Sequence, residues 1–200
     1  WKIFYQQYNK KYPFITDYHI ANLYKIFLIE KFANKYENVV YLDFDVLIGN
    51  TQLNIFDQFD FDKLLLLVNI FDLRDWEYVT GSHTRKIRAF LTSYLLDFEN
   101  ISTALYTNTG IVGANKTSIK KLNFFENIDY CIRKLNASNY KFKSIDNEII
   151  FGYQLYENKV EYINIEGNWH HKAKNDDISS SFIHCQTKKY LPLILEKLQN

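Results

Sequence analysis

The sequence contains few of the residues that mark several classes of protein. It has only six Gly and two Pro in 200 residues, and nearly half of the residues are apolar, which excludes a fibrous or disordered chain and predicts a globular one. Its two cysteines, Cys131 and Cys185, form no disulfide framework and fit a reducing compartment better than an extracellular one. The formal net charge of +1 is not that of a nucleic-acid binder, so we predict no nucleic-acid partner.

Long apolar runs and methionine are also absent. The longest apolar run covers residues 64–71, is interrupted by Asn69, and is too short to cross a bilayer. No signal peptide is visible. The chain begins at Trp1 and has no Met, so we expect a fragment from which an upstream βα unit, or modified methionines, are missing. The length fits a single domain over residues 1–200.

Hydrophobic periodicity predicts helices and strands in alternation. A helix is predicted from the capping residue Thr16 to about Asn34, and the apolar run Val39-Val40-Tyr41-Leu42 predicts a buried strand. Further predicted strands cover residues 64–70, 109–114 and 160–165, further predicted helices cover about 85–96, 117–135 and the segment after Asp146, and the polar residues 170–181 are predicted to form a mobile loop. This alternation predicts an α/β sheet.

The acidic triplet Asp43-Phe44-Asp45 follows the first predicted strand directly. Because residues two apart on a strand project from the same face, we expect Asp43 and Asp45 to converge on one cation and Phe44 to point into the core. Mg²⁺ and Mn²⁺ prefer such oxygen ligands, and open α/β sheets bind ligands beyond the carboxyl ends of their strands. The alternative is that both aspartates only cap the turn that contains Gly49.

Four segments carry a resemblance to a known family. Residues 41–48, YLDFDVLI, resemble the YLDxDxLV signature of GT-A glycosyltransferases such as the glycogenin-like and bacterial lipo-oligosaccharide galactosyltransferase families. Residues 108–113, NTGIVG, resemble the strand that lines the donor sugar, and residues 146–148, DNE, resemble the D-Q-D/E element near the reacting carbon. Residues 182–189, FIHCQTKK, resemble the terminal element that supplies a metal ligand and a diphosphate-binding Lys, although the Gly and Pro-Trp of that element are absent.

The resemblance implies a GT-A (Rossmann-like) fold with a mixed, mostly parallel sheet flanked by helices. It implies transfer of a sugar from a nucleoside-diphosphate sugar, with UDP as the expected nucleotide, to a glycan acceptor with the help of Mn²⁺ or Mg²⁺. It assigns the metal to Asp43, Asp45 and His184, the donor to Lys25, Asp43, Asn108, Gly110 and one of Lys188 and Lys189, and catalysis to Asp146 and Glu148. Trp169, His170 and His171 are further candidates for contact with donor or acceptor.

Each of these side chains also has a structural interpretation. Lys25 would be an ordinary exposed helical lysine, and the Lys188–Lys189 pair a solvated surface. Asp146 would be a helix N-cap, with Glu148 in a first turn that favours acidic residues. A lone histidine such as His184 is often a structural hydrogen-bond donor, and residues 108–110 would form a turn into a buried strand.

Two other functions share the acidic triplet. Phosphatases of the haloacid-dehalogenase type also end a hydrophobic strand in D-x-D, but normally carry Thr or Val four residues after the first Asp, where this chain has Leu47. The second alternative is a non-catalytic carbohydrate or nucleotide-sugar binding module, for which the many Tyr and Phe side chains would serve equally well. The bias toward Lys, Asn, Ile and Tyr indicates an AT-rich genome, so we expect a bacterial or virus-encoded cytoplasmic protein, compatible with peripheral contact at the inner membrane surface.

Overall fold

The computed structural model describes residues 1–49, 54–72, 84–97, 103–138, 145–166, 169–172, 179–185 and 191–199. The helices are α1 (Lys2–Lys11), α2 (Asp17–Ala33), α3 (Ile55–Gln58), α4 (Thr84–Leu95), α5 (Lys116–Leu122), α6 (Ile128–Ala137), α7 (Asn147–Glu157) and α8 (Leu191–Gln199). The strands are β1 (Val39–Leu42), β2 (Val46–Ile48), β3 (Leu64–Asp72), β4 (Thr103–Ala114), β5 (Tyr162–Asn164), β6 (His170–Lys172) and β7 (Phe182–His184). None of the helices in these ranges is both long and apolar enough to span a membrane.

The strands form two mixed sheets, one in the order β1-β4-β3-β5 and the other in the order β2-β7-β6. The mixed α/β architecture with flanking helices is as predicted. The expected majority of parallel pairs is wrong for the described strands, because β1–β4, β3–β4 and β2–β7 are antiparallel and only β3–β5 and β6–β7 are parallel. Asp72 at the end of β3 pairs with Thr103 at the start of β4, so the chain does not make the crossover that a parallel pair requires.

The main hydrophobic core lies between α2, the larger sheet and α7. Helix α2 buries Ile20, Leu23, Ile26 and Ile29, and their three-residue spacing turns the buried stripe gradually around the helix axis. Leu64, Leu66 and Val68 of β3 belong to the same core cluster, and so do Ile149, Ile150 and Phe151 of α7. This packing fixes α2, β4 and the start of α7 relative to one another, and those elements carry most of the candidate site.

Several predicted elements differ in extent from the observed ones. The helix predicted over 117–135 is two helices, α5 and α6, because Asn123 adopts a left-handed conformation with φ of 45° that ends α5. The strand predicted from Thr109 begins at Thr103, since residues 103–108 pair with β3. The loop predicted over 170–181 begins with strand β6, whose residues pair with β7, and residues 173–178 lie outside the described part of the chain.

Candidate metal and anion site

The acidic triplet lies in the turn between β1 and β2, at the point where the chain passes from one sheet to the other. The Val46 N–H donates to the Asp43 carbonyl over 3.0 Å, which closes the turn. Phe44 is 90% exposed, so the prediction that it points into the core is wrong. Strand alternation does not extend past Leu42, because the residues that follow belong to a turn.

The three predicted metal ligands lie together. Asp43, Asp45 and His184 each offer one ligand atom, and these atoms all lie within 4.8 Å of one another. Val46, next to Asp45, pairs with His184 across β2 and β7, which places the Nε2 of His184 3.3 Å from the Oδ1 of Asp45. Two carboxylates and an imidazole are a ligand set that a divalent cation such as Mn²⁺ accepts. This trio can therefore hold a metal ion.

Gly110 makes room for the histidine. A Cβ atom at this position would lie 2.5 Å from the Cε1 of His184 and 3.0 Å from the Oδ1 of Asn108. The Gly110 carbonyl also accepts from the Asp43 N–H at 2.8 Å, which fixes the first residue of the triplet against β4. The resemblance assigns Gly110 to the donor site, but the space beside its Cα is filled by the His184 ring.

Asp43 is held by two donors from neighbouring elements. The Lys25 ammonium on α2 lies 3.2 Å from its Oδ1 and 3.3 Å from its Oδ2, and the Tyr41 hydroxyl donates to Oδ1 at 2.8 Å. Lys25 is only 8% exposed, which excludes the interpretation of an ordinary exposed helical lysine. Burial, followed by the hydrogen bond to Asp43, raises the pKa of Tyr41, so its hydroxyl remains a donor at neutral pH.

A second charged cluster lies in the same cleft. The Nη2 of Arg88 is 2.5 Å from the Oδ2 of Asp146, and its Nη1 forms an ion pair with the Oε2 of Glu148. The other oxygen of Asp146 accepts from the Glu148 N–H at 2.9 Å, so the N-cap interpretation of Asp146 is confirmed. The other oxygen of Glu148 accepts from the Thr109 N–H at 3.2 Å. The two predicted catalytic carboxylates therefore hold Arg88, α7 and β4 together.

Sequence reasoning did not single out Arg88. An arginine near the start of an amphipathic helix is usually solvent exposed, and only its contacts with two carboxyl groups distinguish this one. Burial, and then the negative charge of Asp146, raise the pKa of Glu148 to about 7, against the opposing effect of Arg88. Glu148 therefore exchanges its proton close to neutral pH.

The polar residues of β4 and α7 that follow the family pattern are hydrogen-bonded to one another. The Asn108 amide donates to the Tyr106 hydroxyl at 3.2 Å and accepts from the Gly110 N–H at 3.1 Å. The Asn147 amide donates to the Thr109 hydroxyl at 2.7 Å. Asn108 and Asn147 both line the cleft, so their amides lie where a ligand would bind.

These groups surround one cleft with a volume of about 490 Å³. Its charged lining residues are Lys25, Asp43, Asp45, Arg88, Asp146, Glu148 and the titratable His184, and the exposed rings of Tyr18 and Phe44 also line it. Lys188 and Lys189 lie outside the described residues, and so do the side chains of His170 and His171. Trp169 packs edge-on against Phe59, with 4.9 Å between the ring centroids.

No family model matches this chain, and comparison with curated proteins and with solved structures gives no match either. The cleft combines a potential metal site with two cationic side chains, the buried Lys25 and the partly buried Arg88.

Proposed function

We propose that this chain is a metal-dependent glycosyltransferase that transfers a sugar from a nucleoside-diphosphate sugar, with UDP as the expected nucleotide, to a glycan or glycoconjugate acceptor. The observation that carries the proposal is the convergence of Asp43, Asp45 and His184 in a cleft that also contains Lys25 and Arg88. A divalent cation on the three ligands would supply positive charge for the diphosphate as it leaves. Such a cation usually binds one or two carboxylates together with substrate phosphates.

The two cationic side chains fit a diphosphate for different reasons. Lys25 presents a compact ammonium group beside the ligand Asp43, and its three N–H donors can turn to phosphate oxygens. Arg88 presents a planar guanidinium whose orientation is fixed by Asp146 and Glu148. Charge-assisted hydrogen bonds from such groups are stronger than neutral ones, and they would stabilise the leaving diphosphate.

The carboxyl groups of Asp146 and Glu148 have two roles in this proposal. They orient Arg88, and their negative charge would stabilise the positive charge that develops at the anomeric carbon of a donor bound beside them. Glu148, with a pKa near 7, can also accept a proton from an acceptor hydroxyl as transfer proceeds. Asn108 and Asn147 offer amides that donate to and accept from sugar hydroxyls.

The test is the release of nucleoside diphosphate from a panel of UDP-, GDP- and dTDP-sugars with Mn²⁺, with and without glycan acceptors. We expect acceptor-dependent release by the native chain and a loss of at least about 100-fold in Asp45→Asn, with an unchanged melting temperature. Glu37→Gln, which alters an exposed carboxylate, serves as the control and should keep full activity. Near-normal transfer by Asp45→Asn would refute the proposal, and a phosphatase or a binding module would not consume donor in response to acceptor.

A further inference from the structure

We propose that Lys25 is an internal counter-ion of Asp43 that couples cation binding to the binding of a phosphate-bearing anion. In the absence of the anion, Lys25 occupies Asp43 and the cation binds weakly. An anion in the cleft attracts the Lys25 ammonium, releases Asp43 for the cation, and so raises the affinity for the cation. This inference rests on the metal site of the proposed function but does not depend on sugar transfer.

Asp43 already makes three hydrogen-bond contacts. Its Oδ1 accepts from both Tyr41 and Lys25, and its Oδ2 accepts from Lys25 as well. A carboxylate offers roughly four lone-pair positions, so these three contacts leave about one for a cation. Asp43 can therefore offer both of its oxygens to a cation only after the Lys25 ammonium has moved away from them.

Lys25 is a buried lysine whose ammonium group also lies near an aromatic ring. Its side chain on α2 is only 8% exposed, and a buried ammonium is costly unless it is paired with a charge. The ammonium also lies 5.6 Å from the centroid of the Tyr41 ring, a distance at which a cation is attracted to an aromatic face. Lys25 can therefore leave Asp43 and remain in the cleft beside Tyr41.

Carboxyl groups outnumber the Lys and Arg side chains that line the cleft among the described residues. Lys25 and Arg88 are its two basic side chains among the described residues, whereas four carboxyl groups line it. A diphosphate that enters without a cation meets this excess of carboxyl groups, and a cation that enters without a diphosphate competes with Lys25 for Asp43. When the two ligands bind together, the cation offsets the charge of the carboxyl groups and the diphosphate draws Lys25 away from Asp43. By linkage, each ligand must then raise the affinity for the other by the same factor.

The experiment measures Mn²⁺ binding by electron paramagnetic resonance of the free ion, in the absence of nucleotide and with saturating UDP. The values with UDP are corrected for the complex that Mn²⁺ and UDP form in buffer. For the native chain we expect UDP to raise the Mn²⁺ affinity about tenfold or more. Lys25→Met keeps the length of the side chain without its charge, and should bind Mn²⁺ alone about tenfold more tightly than the native chain and lose most of the effect of UDP.

Three further variants keep the result interpretable. Lys31→Met removes an exposed lysine from the same helix and should bind like the native chain. Tyr41→Phe removes a donor to Asp43 without removing the charge of Lys25, and should keep the effect of UDP. Lys25→Gln repeats the test with a polar side chain if circular dichroism shows that Lys25→Met is unfolded.

The outcomes separate this inference from the proposed function. If Lys25→Met binds Mn²⁺ alone no more tightly than the native chain, Lys25 does not compete for Asp43, and the inference is wrong while the metal site stands. A loss of the UDP effect in Tyr41→Phe as large as in Lys25→Met would also overturn it, since the charge would then not be the cause. If the native chain binds no Mn²⁺ even with UDP, both the inference and the proposed function fail.

Discussion

A side chain at Gly110 would overlap the imidazole of His184. A methyl group there would lie 2.5 Å from the Cε1 and 3.1 Å from the Nδ1 of the ring, which is closer than carbon and nitrogen atoms pack. Gly110 also accepts the hydrogen bond from the Asp43 N–H. This one position on β4 therefore affects both ends of the potential metal site, the turn that carries Asp43 and the ring that faces Asp45.

Gly110→Ala should weaken metal binding. The methyl group forces the His184 ring away from Asp45, and we expect the Mn²⁺ affinity to fall about tenfold or more, because the loss of one ligand of three removes a substantial part of the binding energy. Gly113→Ala on the same strand is the control. Its methyl group would meet the Leu65 side chain at 2.8 Å, which should cost about 1–3 kcal/mol of stability and leave Mn²⁺ affinity unchanged. Native affinity in Gly110→Ala would show that His184 is not a ligand.

Phe44→Ala should have almost no effect on stability. The ring is 90% exposed, and surface substitutions of this kind usually change the free energy of unfolding by less than about 0.5 kcal/mol. Phe151→Ala, which empties a fully buried position in the main core, should cost about 3–5 kcal/mol in the same urea titrations. A loss in Phe44→Ala that approaches the loss in Phe151→Ala would mean that Phe44 packs in the core after all.

Local structure could be predicted where a segment carries its own signal. Thr16 and the spacing of Ile20, Leu23, Ile26 and Ile29 define α2 to within a residue of its observed bounds. The run of four apolar residues before Asp43 defines β1. In contrast, α1 fully buries none of its side chains, and its Phe4, Tyr5 and Tyr8 pack only partly buried against the main core, so its apolar stripe is too short to predict a helix.

The site itself depends on contacts between distant segments. Strands β2 and β7 have three residues each, too few for periodicity to reveal that Val46 pairs with His184. The order of the motifs suggested that His184 joins the two aspartates, but only the pairing explains how it does so. Arg88 could not be found from the sequence, because its importance comes from Asp146 and Glu148, which lie about sixty residues further along the chain.

Arg88→Ala should destabilise the protein more than the loss of a surface ion pair does. It leaves the buried carboxyl groups of Asp146 and Glu148 without their cationic partner, and breaking a buried pair typically costs about 3–5 kcal/mol. Arg133→Ala, which breaks an exposed pair with Asp129, should cost less than about 1 kcal/mol. Adding Asp146→Asn and Glu148→Gln to Arg88→Ala should recover part of the loss in urea unfolding. Equal losses in Arg88→Ala and Arg133→Ala would contradict the buried ion-pair cluster.

The raised pKa of Glu148 gives a pH dependence with a definite sign. The folded chain holds this proton up to a pH of about 7, whereas an unperturbed Glu releases it near 4.5. Between these values the folded state binds more protons than the unfolded state, so the contribution of Glu148 to stability falls as the pH rises and is constant above that window. Glu148→Gln cannot titrate, so its free energy of unfolding relative to the native chain should increase from pH 5 to pH 7. Urea titrations at several pH values measure the free energy of unfolding of Glu148→Gln minus that of the native chain. A signed difference that stays constant or decreases as the pH rises would show that Glu148 is ionised throughout.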